Sequence, residues 1–128
     1  MKRLLLDTHA FLWWCEDSPK LGAGAKKAIR TSAVWVSVVS AWELAIKCSI
    51  GKIALSMSVD ELFRDHVVAN GFSLMNIELA HARAVQSLKF YHRDPFDRLL
   101  AAQAIHESCD VVSADGIFSR YGVKRVWR

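Results

Sequence analysis

The chain has 128 residues, 52% of them hydrophobic, and 17 Lys and Arg against 13 Asp and Glu give it a formal charge of +4 at pH 7. That length makes one domain, spanning 1–128, whose core needs neither disulfides nor a structural metal. Cys15, Cys48 and Cys109 are odd in number and follow no Cys-x-x-Cys or Cys/His pattern, which excludes a disulfide framework and a zinc ribbon, and no apolar run approaches the ~20 residues of a membrane span.

Met1-Lys2-Arg3 followed by three leucines imitates the start of a secretory signal, but Asp7 interrupts it, so the sequence reads as cytoplasmic. Lys2 to Leu6 is a short apolar run and predicts a buried first strand, with a helix following from about Thr8 to Cys15. Ser18-Pro19 predicts the cap and first turn of a second helix that ends near Arg30. Val34 to Val38 is β-branched and aromatic, hence a strand. Ser40-Ala41-Trp42-Glu43 has the form of a capping box and predicts a helix start, with Gly51 as its stop; Ser58 and Glu61 repeat the device, with Gly71 as theirs. Phe72 to Met75 predicts a third strand and Glu78 to Leu88 a helix, and Asp94-Pro95 opens another. Val111-Val112 and Val123 to Trp127 predict the last strands. Strands alternating with helices, without a long linker, predict a three-layer α/β/α domain on a short, mostly parallel sheet.

Asp7, Glu43, Asp97 and Asp115 each fall where a strand ends or a helix begins. In a parallel α/β fold those ends share one edge, where ligands bind. Carboxylates gathered there repel one another unless a hard cation holds them, and oxygen donors are what Mg²⁺ prefers. Each acid also has a plain structural use. Asp7 can cap the next helix, although Thr8 could do so equally well. Glu43 can complete its capping box, and Asp115 before Gly116 can simply make a turn. Asp94 is a natural cap with Pro95 in the first turn, which assigns Asp94 mainly to structure and frees Asp97 for a metal. Four acids at one edge are harder to reach by turn chemistry than any one of them. An acidic spot in a basic chain also suits a polyanion held by its backbone and cut at a metal.

The stretches Leu4 to Trp14, Ser37 to Lys47, His92 to Ala104 and Ser113-Ala114-Asp115, taken in order, resemble the PIN-domain family, and within it the VapC-type toxins of type II toxin–antitoxin pairs. The resemblance runs over essentially the whole chain. It implies a PIN-like fold, a Mg²⁺- or Mn²⁺-dependent endoribonuclease, a homodimer or toxin–antitoxin hetero-oligomer, and inhibition by a cognate antitoxin protein. It places the catalytic and metal-binding acids on Asp7, Glu43, Asp97 and Asp115, and a hydroxyl near the metal on Thr8 or Ser113. Asp7 and Asp97 are then the direct ligands, with Glu43 and Asp115 binding directly or through water. Asp115 is followed by Gly116-Ile117-Phe118, where relatives often carry a second polar residue.

Lys89-Phe90-Tyr91-His92-Arg93 interleaves aromatic and basic residues, as suits stacking and phosphate contact on a single strand, or else forms an ordinary solvated loop. His9 and His92 stay out of the ligand set because imidazole suits hard Mg²⁺ poorly. Phe11 to Trp14 make an apolar helix face that serves the core or a partner, and Trp35 and Trp42 are expected in the core. The competing function is a catalytically silent PIN-like module that binds RNA or protein; intact acids at all four positions argue against it. A phosphoacceptor receiver domain fails on the residues, since Asp7 is followed by Thr8-His9 and the third strand ends at Met75-Asn76.

Overall fold

Leu4, Leu5 and Leu6 are fully buried, the mark of a strand covered on both faces. They form β1 (Arg3–Leu6), which runs directly into α1 (Thr8–Cys15). There follow α2 (Ala23–Thr31), β2 (Ala33–Ser37), α3 (Val38–Ser49), α4 (Val59–Ala69), β3 (Ser73–Met75) and α5 (Leu79–Ser87). The chain closes with α6 (Pro95–Glu107), β4 (Asp110–Val112), α7 (Ile117–Arg120) and β5 (Arg125–Val126). This computed structural model describes residues 2–128; Met1, the first residue of the signal-like opening, lies outside them. Among the described residues no helix is long and apolar enough to cross a membrane.

The five strands form one sheet in the order β3-β2-β1-β4-β5, and every pairing is parallel. Alternation along β1 divides the core. Leu4 and Leu6 pack with Val34, Val36 and Val112 against Phe11, Ile29, Leu44 and Leu62 on one face. Leu5 and Val111 pack against Leu100, Ala101, Ala104 and Phe118 on the other. The result is the expected α/β/α layering on a parallel sheet. Small residues at 101, 102 and 104, all buried, bring α6 close to the sheet.

Three expectations are corrected, and one element was missed. Ser18-Pro19 makes a turn rather than a helix start: the Leu21 N–H donates to the Ser18 carbonyl at 3.2 Å, which drives Leu21 into the core. The helix then begins at Ala23, with Gly22 as its cap. Only a residue without a Cβ fits there, since a Cβ would stand 2.8 Å from the Arg128 Cα. Ser40 and Glu43 do not form a capping box. β2 passes into α3 without a loop, and the Ser37 hydroxyl caps by accepting from the Val39 N–H, which places Ser40 and Glu43 inside the helix, both buried. Trp42 is half exposed rather than core, resting edge-on against Phe96. The four-residue α7 was not foreseen, being too short to show a period. At Ser58 the hydroxyl accepts the Glu61 N–H, which is half of the expected box, and the cap at Asp94-Pro95 stands as expected.

Candidate metal centre

Asp7 leaves the end of β1 with its own N–H donating to the Val112 carbonyl of β4 at 3.1 Å. Its Oδ1 accepts the Ala10 N–H at 2.8 Å, so it does cap α1 while standing at the edge of the sheet. Glu43 comes from the second turn of α3. Its Oε1 accepts the Thr8 hydroxyl at 2.5 Å and its Oε2 meets Lys47 Nζ at 2.5 Å. Asp97 sits in the first turn of α6, and Asp115 lies between β4 and α7. All four acids line one cleft of about 280 Å³, together with Thr8, Lys47, His92 and Asp94. Other grooves are larger, such as one of about 350 Å³ beside Leu12, Leu55 and Leu62. Charge, not volume, sets the acidic cleft apart.

A buried chain of hydrogen bonds holds α6 in place. Gln103 is fully buried; its Oε1 accepts the Ser37 hydroxyl at 2.6 Å and its Nε2 donates to the Asn76 carbonyl at 3.2 Å. The ends of β2 and β3 are thereby tied to the middle of α6, and the first turn of that helix is held over the sheet edge. Asp94 does double duty. Its Oδ1 accepts from the Phe96 N–H at 2.9 Å, capping α6, and its charge also faces the cleft. The split that kept Asp94 to structure and Asp97 to the site is therefore too sharp.

The electrostatics are out of balance. Burial pushes the Asp97 carboxyl up to about 7, with the charges of Asp94, Asp7 and Glu43 adding to the shift and His92 opposing it. Asp7 is also raised, chiefly by burial, against the Ser113 hydroxyl and the Ala10 N–H, which lower it. Lys47 is raised by its bond to Glu43. One ammonium is too little cation for this many carboxylates, and the surplus adds to the shift that burial gives Asp97. Oxygen donors, with the Thr8 and Ser113 hydroxyls close by, suit a hard divalent ion such as Mg²⁺ or Mn²⁺.

His92 is the residue that the sequence argument undervalued. Its Nδ1 accepts the Asp94 N–H at 3.3 Å, so the ring proton is on Nε2, which donates to Asp97 Oδ2 at 3.0 Å. The same nitrogen stands 3.7 Å from Asp115 Oδ2. This tautomer leaves Nε2 no free lone pair for a metal, and His92 orients a carboxylate instead. Its proximity to Asp97 in sequence was the one available signal. Lys47 could have been found from its i, i+4 spacing to Glu43.

Residues 4–124 match the model of the PIN domain family. The chain is 29% identical over 119 residues to Ribonuclease VapC22 of Mycobacterium tuberculosis, a match covering 90% of this chain and 88% of that protein. Its fold is similar to that of VapBC2 from Rickettsia felis, solved bound to a promoter DNA fragment: the TM-score is 0.73 at 13% identity, covering 98% of this chain and 99% of the other. DNA-bound VapBC from Salmonella typhimurium gives 0.70 at 16% identity, covering 98% of each chain. FitAcB from Neisseria gonorrhoeae gives 0.66 at 18%, covering 95% of each.

Proposed function

The chain belongs to the PIN-domain family, and on that premise we propose that it is a metal-dependent endoribonuclease, the toxin of a toxin–antitoxin pair, working as a single domain in the cytoplasm. One observation carries the reading. Carboxylates from distant parts of the chain converge on one cleft, where burial first and the charges of Asp94, Asp7 and Glu43 next raise Asp97 to about 7. A surface meant only to bind phosphate gains nothing from such a cluster, whereas a cation site needs it. The likeness to a protein named as a ribonuclease supports the choice of substrate.

Asp7 and Asp97 would hold Mg²⁺ or Mn²⁺, with Glu43 and Asp115 binding directly or through water. The ion, when bound, supplies Lewis-acid charge and an activated water for hydrolysis of the phosphodiester. The chain's own residues prepare for it. Thr8 and Lys47 fix the two oxygens of Glu43, and His92 fixes Oδ2 of Asp97. Ser113 stands beside Asp7 and lowers the cost of its charge. These bonds set the carboxylates before the ion arrives, so less order must be bought on binding.

Two partners complete the proposal. A cognate antitoxin is supported by the similar solved structures, two of which are VapBC assemblies. A second copy of the chain is supported by Trp42, Ile46 and Ile50, which repeat at i, i+4 and i+8 along α3 and its cap and are exposed by 50, 37 and 59%.

The test is cleavage of a mixed RNA pool by the purified, antitoxin-free protein in Mg²⁺ or Mn²⁺. EDTA, Asp7→Asn and Asp97→Asn should each abolish cutting while circular dichroism shows the fold kept. A folded protein that binds several RNAs but cuts none would make it a silent binding module.

A further inference from the structure

Two chain segments run out of the acidic cleft to the same place on the surface. One is the loop before α6, where His92 touches Asp97 and its neighbour Tyr91 lies outside the cleft. The other leads from Asp115 through α7 to Arg120 and Tyr121. They meet beyond the cleft: the Tyr91 and Tyr121 rings are 5.3 Å apart between centroids, and the Arg120 guanidinium lies 4.2 Å from the Tyr91 ring. A cavity of about 370 Å³ opens there, with Lys89 on its wall. Beside it Phe90 is 72% exposed, a large cost for an apolar ring that serves nothing.

The platform is built rather than loose. Arg98 follows Asp97 in sequence but turns the other way and is buried. Its guanidinium donates to the Lys89 carbonyl at 3.0 Å, to the Val85 carbonyl at 3.3 Å and to the Tyr121 hydroxyl at 3.3 Å. It also lies 4.6 Å from the Phe90 ring. The Tyr121 hydroxyl in turn accepts the His92 N–H at 3.1 Å. One helix turn therefore holds both Asp97 in the cleft and the aromatic loop beside it.

Charge says what could lie there. No acid occurs from Ser87 to Arg93 or from Gly116 to Arg128, while those stretches contain Lys89, Arg93, Arg120, Lys124 and Arg125. Cations beside an exposed phenyl ring and two half-buried tyrosines, without counter-charge in those stretches, suit a polyanion that also offers flat rings. Bases paired in a duplex hide those rings; unpaired ones present them. We propose that Phe90, Tyr91 and Tyr121, with Lys89 and Arg120, form a stacking subsite that holds unpaired bases of single-stranded RNA next to the bond that the acidic cleft cuts. This rests on the nuclease reading and adds to it the residues that hold the bases.

The test separates the two. Asp7→Asn protein, kept in EDTA, is titrated into a fluorescein-labelled oligouridylate, an abasic strand of equal length and charge, and a hairpin duplex, with anisotropy as the readout. The uridylate should bind tightest. Phe90→Ala and Tyr91→Leu, each in the Asp7→Asn background, should weaken it about 5- to 100-fold, leaving the abasic strand nearly unaffected, and Tyr91→Phe should restore the preference. Equal binding of base-bearing and abasic strands, a preference for the duplex, or no loss in either variant overturns the subsite. Binding of no strand at all also overturns it and makes the platform a protein-facing surface. Cleavage of the same uridylate by wild-type protein is followed in parallel. Cutting whose KM ignores Phe90→Ala and Tyr91→Leu sinks the subsite alone; a base preference without any metal-dependent cutting sinks the nuclease reading alone.

Discussion

Helix α6 has a histidine–carboxylate pair at each end. Near its start His92 Nε2 meets Asp97 Oδ2 at 3.0 Å, and near its close His81 Nε2 meets Glu107 Oε2 at 3.0 Å. In both, Nδ1 accepts a backbone N–H, from Asp94 in one and from Glu78 in the other, so both rings carry their proton on Nε2. The carboxylates nevertheless behave in opposite ways. Asp97 is pushed up to about 7 by burial and by three acidic neighbours. Glu107 is held below the usual range by its bond to His81, helped by the charges of His106 and Arg3. Pair geometry alone therefore does not mark a site; burial together with unbalanced charge around the pair does. Ligand atoms of His81, His106 and Glu107 all lie within 4.8 Å of one another. The tautomer of His81 makes that cluster a clasp between α5 and α6, not a metal centre.

The contrast breaks most clearly in cleavage. Asp97→Asn should slow RNA cutting by on the order of 10²–10³ or more, whereas Glu107→Gln should leave the initial rate unchanged. Equal losses in the two variants would mean that both ends serve the chemistry. Thr8→Val should weaken the metal about 10- to 100-fold by freeing Glu43, read from the Mn²⁺ dependence of the rate, without loss of fold. His81→Ala should do the reverse. It strands the Glu78 N–H and part of Gln103, costing about 1–3 kcal/mol in urea unfolding with no change in metal dependence.

The smallest effect is in pH. Asp97 binds its proton more tightly folded than unfolded, so the folded chain holds a proton between about pH 4 and 7 that the unfolded chain has released. Metal-free protein should therefore gain stability from Asp97 as pH falls from 8 through 7. Glu107, with its lowered value, stabilises above the usual glutamate range and loses that contribution in acid. Thermal melts in EDTA from pH 8 to 6 should rise for wild type and be flatter for Asp97→Asn, with Glu107→Gln keeping the wild-type slope. Mg²⁺ at pH 8 should raise the melting temperature of wild type and Glu107→Gln but not that of Asp97→Asn.

What the sequence revealed followed from how local each signal was. The start of α6 was readable because Asp94-Pro95 does its capping within one turn. Asp7 stood out because an apolar run stopped abruptly at a charge. Glu43 was found, but beside a wrong account of its neighbours: Ser40-x-x-Glu43 imitates a cap, and only the direct passage from β2 into α3 shows that Ser37 holds that role. Trp42 reads as core by composition, yet its direction depends on the phase of α3, which short motifs do not fix. Proximity in sequence pointed from His92 to Asp97, but the approach of His92 to Asp115 depends on how a loop meets a distant strand end. No spacing within the chain encodes that.

The order of the strands also has a consequence for timing. β1 is the middle of the sheet: Leu4 pairs with Val34 on one side and with Asp110 on the other. The first strand to be synthesised thus waits for one of the last, and Asp7 waits with it for Asp97 and Asp115. A chain halted before residue 110 keeps Asp7 and Glu43 but has an open edge on β1 and lacks the fourth acid. Under the proposed activity, an unfinished copy cannot cut the RNA around it. Any activity of the assembled cleft would therefore begin only once the chain is nearly whole.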